Sequence, residues 1–210
     1  MNDLCLLISG GEFSPIPQEL YHAAFVIACD RGWQHAQRMG LRPDRIVGDF
    51  DSSPPPETAI PVERAPKRKD DTDTLLAARR ALEKGYRELA ICCAFGGRLD
   101  HTLANLQAAA FLVTQGARVR LLGTDTDASA FTAGTERFPR RAGWSLSVFA
   151  LSDVCEGVTI RGTEYDCENV TLNNAFPLGI SNEWASDEAV ISVKRGILLV
   201  MQSKLPDEMP

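Results

Sequence analysis

What most constrains this chain is a change of texture near residue 123. Before it, short apolar runs alternate with helical stretches; after it, no helical period is found. In the first part, residues 4–8, 25–29, 45–47, 89–94 and 118–122 are compact apolar runs without clean alternation, as in strands covered on both faces. Between them, Leu75, Leu76, Leu82 and the alanines 77, 78 and 81 predict a helix over about 73–84, stopped by Gly85. A second helix is predicted on Leu99, Leu103, Leu106, Ala110 and Val113, with Gly116 as its stop. Such alternation implies a largely parallel, Rossmann-like α/β sheet with helices on both faces.

The second part holds short β-prone runs at 144–151, 158–161, 170–172, 189–193 and 197–202, punctuated by glycines from Gly134 to Gly196. That spacing predicts an all-β domain, an antiparallel sandwich or small barrel. The expected organisation is therefore an α/β domain over 1–124 and a β-sandwich domain over 125–210.

Composition excludes several classes. Hydrophobic residues at 44% and charged residues at 24% are globular usage, and 210 residues bury a core without staples. A net charge of -6 argues against a nucleic-acid-coating surface. No apolar run reaches the roughly 18–20 residues of a membrane span. Met1-Asn2-Asp3 lacks the basic start of a signal peptide. The six cysteines contain no CxxC pair, and four lie in apolar runs. Reduced, mostly buried thiols in a cytoplasm are expected, with no nucleic-acid or membrane partner.

Acidic residues cluster where the first part has strand ends and loops: Asp30; Asp49 and Asp51; Asp70, Asp71 and Asp73; and Asp100. Ligands of open α/β sheets bind outside the carboxyl ends of strands, so these loops are expected to share one crevice. Crowded carboxylates repel unless a cation sits among them, and hard oxygen ligands favour Mg²⁺. Asp49 and Asp51, at i and i+2, suit one ion; they equally suit a solvated turn before Pro54. Thr72 also suits a helix N-cap, with Asp73 in the first turn.

Gly96-Gly97-Arg98-Leu99-Asp100-His101 is the most informative segment. Two glycines admit close approach of backbone to a ligand, and the following helix offers free N–H groups to an anion. Arg98 adds a donor fork suited to phosphate, although an Arg–Asp surface pair on a glycine-rich turn explains the same residues. There is no GxxxxGK[ST] and no GxGxxG after the first strand; Gly10-Gly11 alone is a weak signal.

In order and spacing, Cys29-Asp30-Arg31-Gly32, Gly48-Asp49-Phe50-Asp51-Ser52, Lys69-Asp70-Asp71-Thr72-Asp73 and Gly96 to His101 with Asn105 resemble the thiamine pyrophosphokinase family. Ser181-Asn182-Glu183-Trp184 is similar to that family's thiamine-contacting segment. The resemblance implies transfer of a pyrophosphoryl group from ATP to the thiamine hydroxyl, releasing AMP, with Mg²⁺ required. It implies a homodimer with thiamine near the subunit interface. Carried over by position, Asp49, Asp51, Asp73 and Asp100 are the magnesium-side and catalytic carboxylates, and Arg98, Gly96 and Gly97 face phosphates. Asp30, Gly32, Asp70, Thr72 and Asn105 surround the nucleotide, while Ser181, Asn182 and Trp184 hold thiamine, Trp184 as an aromatic face. Asp73 or Asp100 is favoured over His101 as proton acceptor. Arg31 departs from the family's usual Ala-Asp-Gly-Gly loop. Rival readings are a metal-dependent phosphohydrolase or nucleotidyl transferase on a similar crevice, and a nucleotide- or thiamine-binding module without turnover.

Overall fold

The computed structural model describes residues 3–50, 57–64 and 71–206, so Asp51 and Asp70 lie outside the described residues. The chain divides into two compact units, residues 1–124 and 125–210.

The first unit is built on six strands: β1 (Leu4–Ile8), β2 (Phe25–Cys29), β3 (Arg45–Gly48), β4 (Val62–Arg64), β5 (Glu88–Cys92) and β6 (Arg118–Leu122). All their pairings are parallel, in the order β6-β5-β1-β2-β3-β4. Three helices join them: α1 (Gly32–Met39), α2 (Asp73–Glu83) and α3 (Leu99–Thr114). Successive side chains of a strand point to opposite faces. Leu6, Ile8, Ala28, Ile46, Ala90 and Cys92 pack in one cluster with Ala36 and Met39 of α1. Their strand neighbours Cys5, Leu7, Ile27, Cys29, Val47 and Ile91 are equally buried and face the other side, where α2 lies against β1, β2 and β3. Helices thus cover both faces, which explains why these strands read as continuous apolar runs.

The boundaries carry physical reasons. Thr72 caps α2 by accepting a hydrogen bond from Leu75 N at 3.2 Å, so local capping chemistry starts that helix. The run expected to extend to residue 94 ends as a strand at Cys92, because Cys93 turns into the left-handed region at φ 53°. Sequence periodicity does not predict helix α1: it has eight residues, and its buried face is only Gly32, His35, Ala36 and Met39. Strand β4 is hidden for a similar reason, being three partly polar residues after Pro61.

The second unit is wholly antiparallel: β7 (Thr126–Pro139), β8 (Trp144–Ala150), β9 (Val154–Arg161), β10 (Cys167–Asn173), β11 (Gly179–Asn182) and β12 (Glu188–Lys204). The two runs predicted at 189–193 and 197–202 are one strand, β12, whose register breaks between Val193 and Ile197. Before the break β12 pairs with β9, and after it with β8, while β7 follows both halves. Strand β7 escapes prediction because Ala, Thr and Ser dominate it; pairing along β12 rather than propensity makes it a strand. The core includes Phe131, Phe138, Leu146, Val148, Ile160, Ile191 and Leu198. All six cysteines are free, five of them buried. Among the described residues no helix is long and apolar enough to cross a membrane.

Candidate active site

Strand β1 sits between β2 and β5, and the chain runs outward from it in one direction through β2, β3 and β4 before returning to β5. That makes the β1/β5 boundary the topological switch point, where the carboxyl-end loops diverge and leave a crevice. Three backbone hydrogen bonds stitch the loops there: Ser9 N to Cys92 O at 2.9 Å, Gly11 N to Cys93 O at 3.1 Å and Glu12 N to Phe95 O at 2.9 Å. The fit is so close that a Cβ on Gly11 would stand 2.4 Å from the Cys93 carbonyl oxygen. In the Gly10-Gly11 pair, weak as a sequence signal, Gly11 is thus a packing requirement.

Beside it, β2 ends in Asp30, held at φ 44° with its N–H donating to Val47 O at 2.8 Å. The next residues resolve the departure at Arg31. Arg31 is right-handed helical (φ -53°, ψ -20°) and exposed, so this position does not require glycine. Gly32 is the obligatory one, since a Cβ there would lie 1.9 Å from Ile8 O. It lets α1 start directly against the end of β1.

Asp49 follows β3, half-buried, with Phe50 behind it at φ 55°. The left-handed backbone at Asp30 and Phe50 is a strained choice for residues other than glycine. Asp73 opens α2, and the next residue binds the helix to the crest of β1: Ser9 Oγ and Thr74 Oγ1 are 3.0 Å apart and buried. The Cys29 thiol is pushed far up, first by burial and then by the nearby charge of Asp73. Asp30, Asp49 and Asp73 are therefore brought to the ends of β2, β3 and α2.

On the β5 side, Gly96 and Gly97 are exposed, with φ 80° and 69°. Arg98 and Asp100 form an open fork, Nε to Oδ1 at 3.1 Å and Nη2 to Oδ2 at 2.5 Å, both side chains more than half exposed. The Arg98 hydrogen bond holds the Asp100 carboxyl below its usual range. Asp100 also accepts from His101 N at 3.0 Å. Asn105 is buried and donates to Ala94 O at 2.8 Å, which fixes the β5–α3 loop from behind. Among the described residues, no three His, Cys, Asp or Glu side chains group closely enough to hold an ion.

In the second unit, Ser181 is exposed at φ 56°, and its N–H donates to Ser147 Oγ at 2.9 Å. Its neighbours face inward. Asn182 donates to Thr163 Oγ1 and Tyr165 O and accepts from the N–H groups of Tyr165 and Glu183. Trp184 is 5% exposed, and its indole N–H donates to Phe138 O at 2.8 Å. The aromatic face expected of Trp184 is inside the core, where an indole gains most from burial. Sequence reasoning also misses Ser9, Thr74 and His35, whose roles depend on pairings between distant segments.

A parallel sheet with glycine-rich switch-point loops, carboxylates and an open guanidinium is the class of α/β fold and site suited to phosphate-bearing ligands. Residues 16–121 match the family model described as "Thiamin pyrophosphokinase, catalytic domain", and residues 137–198 that described as "Thiamin pyrophosphokinase, vitamin B1 binding domain". The chain belongs to the thiamin pyrophosphokinase family, and its reaction makes thiamine diphosphate from thiamine and ATP. It is 28% identical over 207 residues to the thiamine pyrophosphokinase of Bacillus subtilis (strain 168), covering 94% of this chain and 97% of that one. Among solved structures it is similar to thiamine pyrophosphokinase from Bacillus subtilis (27% identity, TM-score 0.83, 96% and 99% of the two chains). It is also similar to a thiamin pyrophosphokinase family protein from Enterococcus faecalis (30% identity, TM-score 0.80, 96% and 99%).

Proposed function

We propose that residues 1–124 bind Mg-ATP and carry the transfer, that residues 125–210 form a sandwich holding thiamine, and that the enzyme is a cytoplasmic homodimer with thiamine near the subunit interface. The observation supporting this reading is the convergence of the β1, β2, β3 and β5 loops on one switch point. Asp49, Asp51, Asp73 and Asp100 would hold Mg²⁺, with Gly96, Gly97 and Arg98 against the phosphates. Asp30, Gly32, Asp70 and Thr72 would frame the nucleotide, with Asn105 supporting the glycine loop from behind. Ser181 would contact thiamine, and Asn182 would shape that contact from beneath. The donor set fits a hard cation: the candidates are all carboxylates. The Cys29 and Cys92 thiols at the same strand ends are buried and hard to ionise, Cys29 through burial and Cys92 chiefly through its hydrogen bond with Cys93, whose own thiol is brought down to about 7 by the same bond.

The reaction joins the thiamine hydroxyl oxygen to the β-phosphorus of ATP and breaks the bond from that phosphorus to the oxygen bridging to the α-phosphorus, so AMP departs with the bridging oxygen. Positioning and neutralisation supply most of the catalysis in such transfers. Mg²⁺ held by Asp49, Asp51, Asp73 and Asp100 would supply neutralisation of phosphate charge. Arg98 does the same from the chain itself, exchanging Asp100 for phosphate oxygens. The hydroxyl proton would pass to Asp73 or Asp100, the carboxylates placed on the two sides of the crevice.

The test is purified protein with Mg-ATP, with and without thiamine, following AMP and thiamine diphosphate. AMP is expected only when thiamine is present; AMP release without it would replace the kinase reading by a hydrolase. Asp49→Asn is expected to lower turnover by on the order of a hundredfold or more while Tm is kept. Near-normal turnover at limiting Mg²⁺ would remove Asp49 from the metal site.

A further inference from the structure

His35 lies on α1 and is 4% exposed. Its Nε2 stands 3.0 Å from the carbonyl oxygen of Gly11. A carbonyl only accepts, so Nε2 carries the proton and the neutral ring leaves Nδ1 as a lone pair. That buried Nδ1 has no hydrogen-bond partner among the described residues. The ring packs at 5.7 Å from Phe13, and the Arg38 guanidinium lies 3.6 Å from the Phe13 centroid. A buried imidazole with one nitrogen unsatisfied is a costly way to fill a core site. The contact it does make is to the turn at the switch point.

That turn has two anchors of different kinds. Its hydrogen bonds to Cys92, Cys93 and Phe95 fix it sideways against the β5 loop. His35 fixes it towards α1. Between them Gly10 is exposed, and its N–H donates to nothing among the described residues. Arg31 stands close by, its Cβ 3.5 Å from where a Cβ on Gly10 would be. An exposed backbone N–H with an exposed arginine beside it, at the carboxyl end of a parallel strand, is suited to contact an anion.

We propose that His35 is a positioning residue for ATP: its Nε2–H holds the Gly11 carbonyl so that the Gly10-Gly11 turn presents the Gly10 N–H, with Arg31, to the polyphosphate. This rests on the placement of ATP at the β1/β5 crevice proposed above. Without the His35 donor, the Gly11 peptide loses its restraint towards α1 while the sideways stitches remain. The effect therefore falls on nucleotide binding and leaves thiamine binding alone.

Glutamine places an amide nitrogen where histidine has Nε2, whereas asparagine reaches only as far as Nδ1. His35→Leu, His35→Gln and His35→Asn are compared by calorimetric titration with α,β-methylene-ATP and Mg²⁺, and by the KM values for ATP and thiamine. Leu and Asn are expected to bind the analogue roughly five- to tenfold more weakly, with thiamine KM unchanged, and Gln to recover parental binding. If Leu fails to fold, the Gln and Asn pair decides alone. Equal binding by Gln and Asn, or equal rises in both KM values, overturns the proposal. Arg98→Ala in the same titration separates the two layers. Weakening at Arg98 but not at His35 overturns only the role of His35, and no response at either moves ATP away from this crevice.

Discussion

As sequence, the Asp-rich loops of the first unit and the segment Ser181–Trp184 are alike: both are short polar clusters at the ends of β-prone runs. In the fold they differ in direction. The loop residues Asp30, Asp49, Gly96, Gly97 and Arg98 stand at strand ends, partly or wholly exposed. In the second unit every polar atom of the Asn182 side chain is hydrogen-bonded within the chain, and Trp184 is core. The geometry of a parallel sheet explains the contrast. Its strands all end at one edge, so polar loop residues collect there. An antiparallel strand pair returns on itself, and a polar residue at its margin readily bonds to the neighbouring turn.

The largest effect that would test this contrast is at Trp184. Trp184→Ala is expected to destabilise the protein by about 3–5 kcal/mol through the cavity and the lost Phe138 partner, read as a large fall in Tm. A selective rise in thiamine KM at unchanged Tm would break the comparison and return the indole to the ligand. Asn182→Ala comes next. It removes the partner of the Tyr165 carbonyl and of two backbone N–H groups, and about 1–3 kcal/mol of stability should go with them. If thiamine KM rises as well, Ser181 is the residue relaying the change, because it is exposed one position away.

Arg98→Lys should act in the opposite sense, sparing stability and harming catalysis. The Arg98–Asp100 pair is exposed, and such pairs add little to the folded state. A lysine cannot reproduce a fork on two phosphate oxygens, so kcat should fall about tenfold, with a smaller change in ATP KM. A variant as active as the parent, yet with lower Tm, would make the pair structural and erase the contrast from the other side.

Legibility follows the same divide. The parallel strands are readable because burial on both faces leaves uninterrupted apolar runs such as Leu4 to Ile8. Helices α2 and α3 are readable from Thr72 as a cap and from the leucine spacing. What stays hidden is decided by partners far away in the chain. β7 is a strand because β12 lies beside it, and Ser9 matters because Thr74, 65 residues on, shares its hydrogen bond. The acidic clusters are visible because carboxylates crowded at strand ends are conspicuous without coordinates. The inward turn of Asn182 and Trp184 is not, since a polar-aromatic segment reads alike whether it faces a ligand or the core.

The smallest effect expected lies at His35. Burial lowers its pKa; the Gly11 hydrogen bond opposes this, and Arg31 and Arg38, the charged groups acting on the ring, lower it further. The folded-state pKa is thus below the unfolded value of about 6.5. As pH falls below that value, the unfolded chain takes up a proton that the folded chain still refuses, and stability drops. The contribution is present in full above the unfolded pKa and is lost as pH falls towards the folded pKa. Below both values the loss stops growing. The parent should therefore lose Tm relative to His35→Gln between about pH 6.5 and the lower folded-state pKa, because glutamine keeps the donor to Gly11 without a titrating nitrogen. The difference should be small, of the order of the about 2–4 °C that 1 kcal/mol shifts Tm at this chain length. Parallel Tm curves for parent and His35→Gln across that window would mean that the ring takes up its proton in the fold as readily as in water. His35 would then belong with the exposed loop groups of the first unit, not with inward-facing residues such as Asn182.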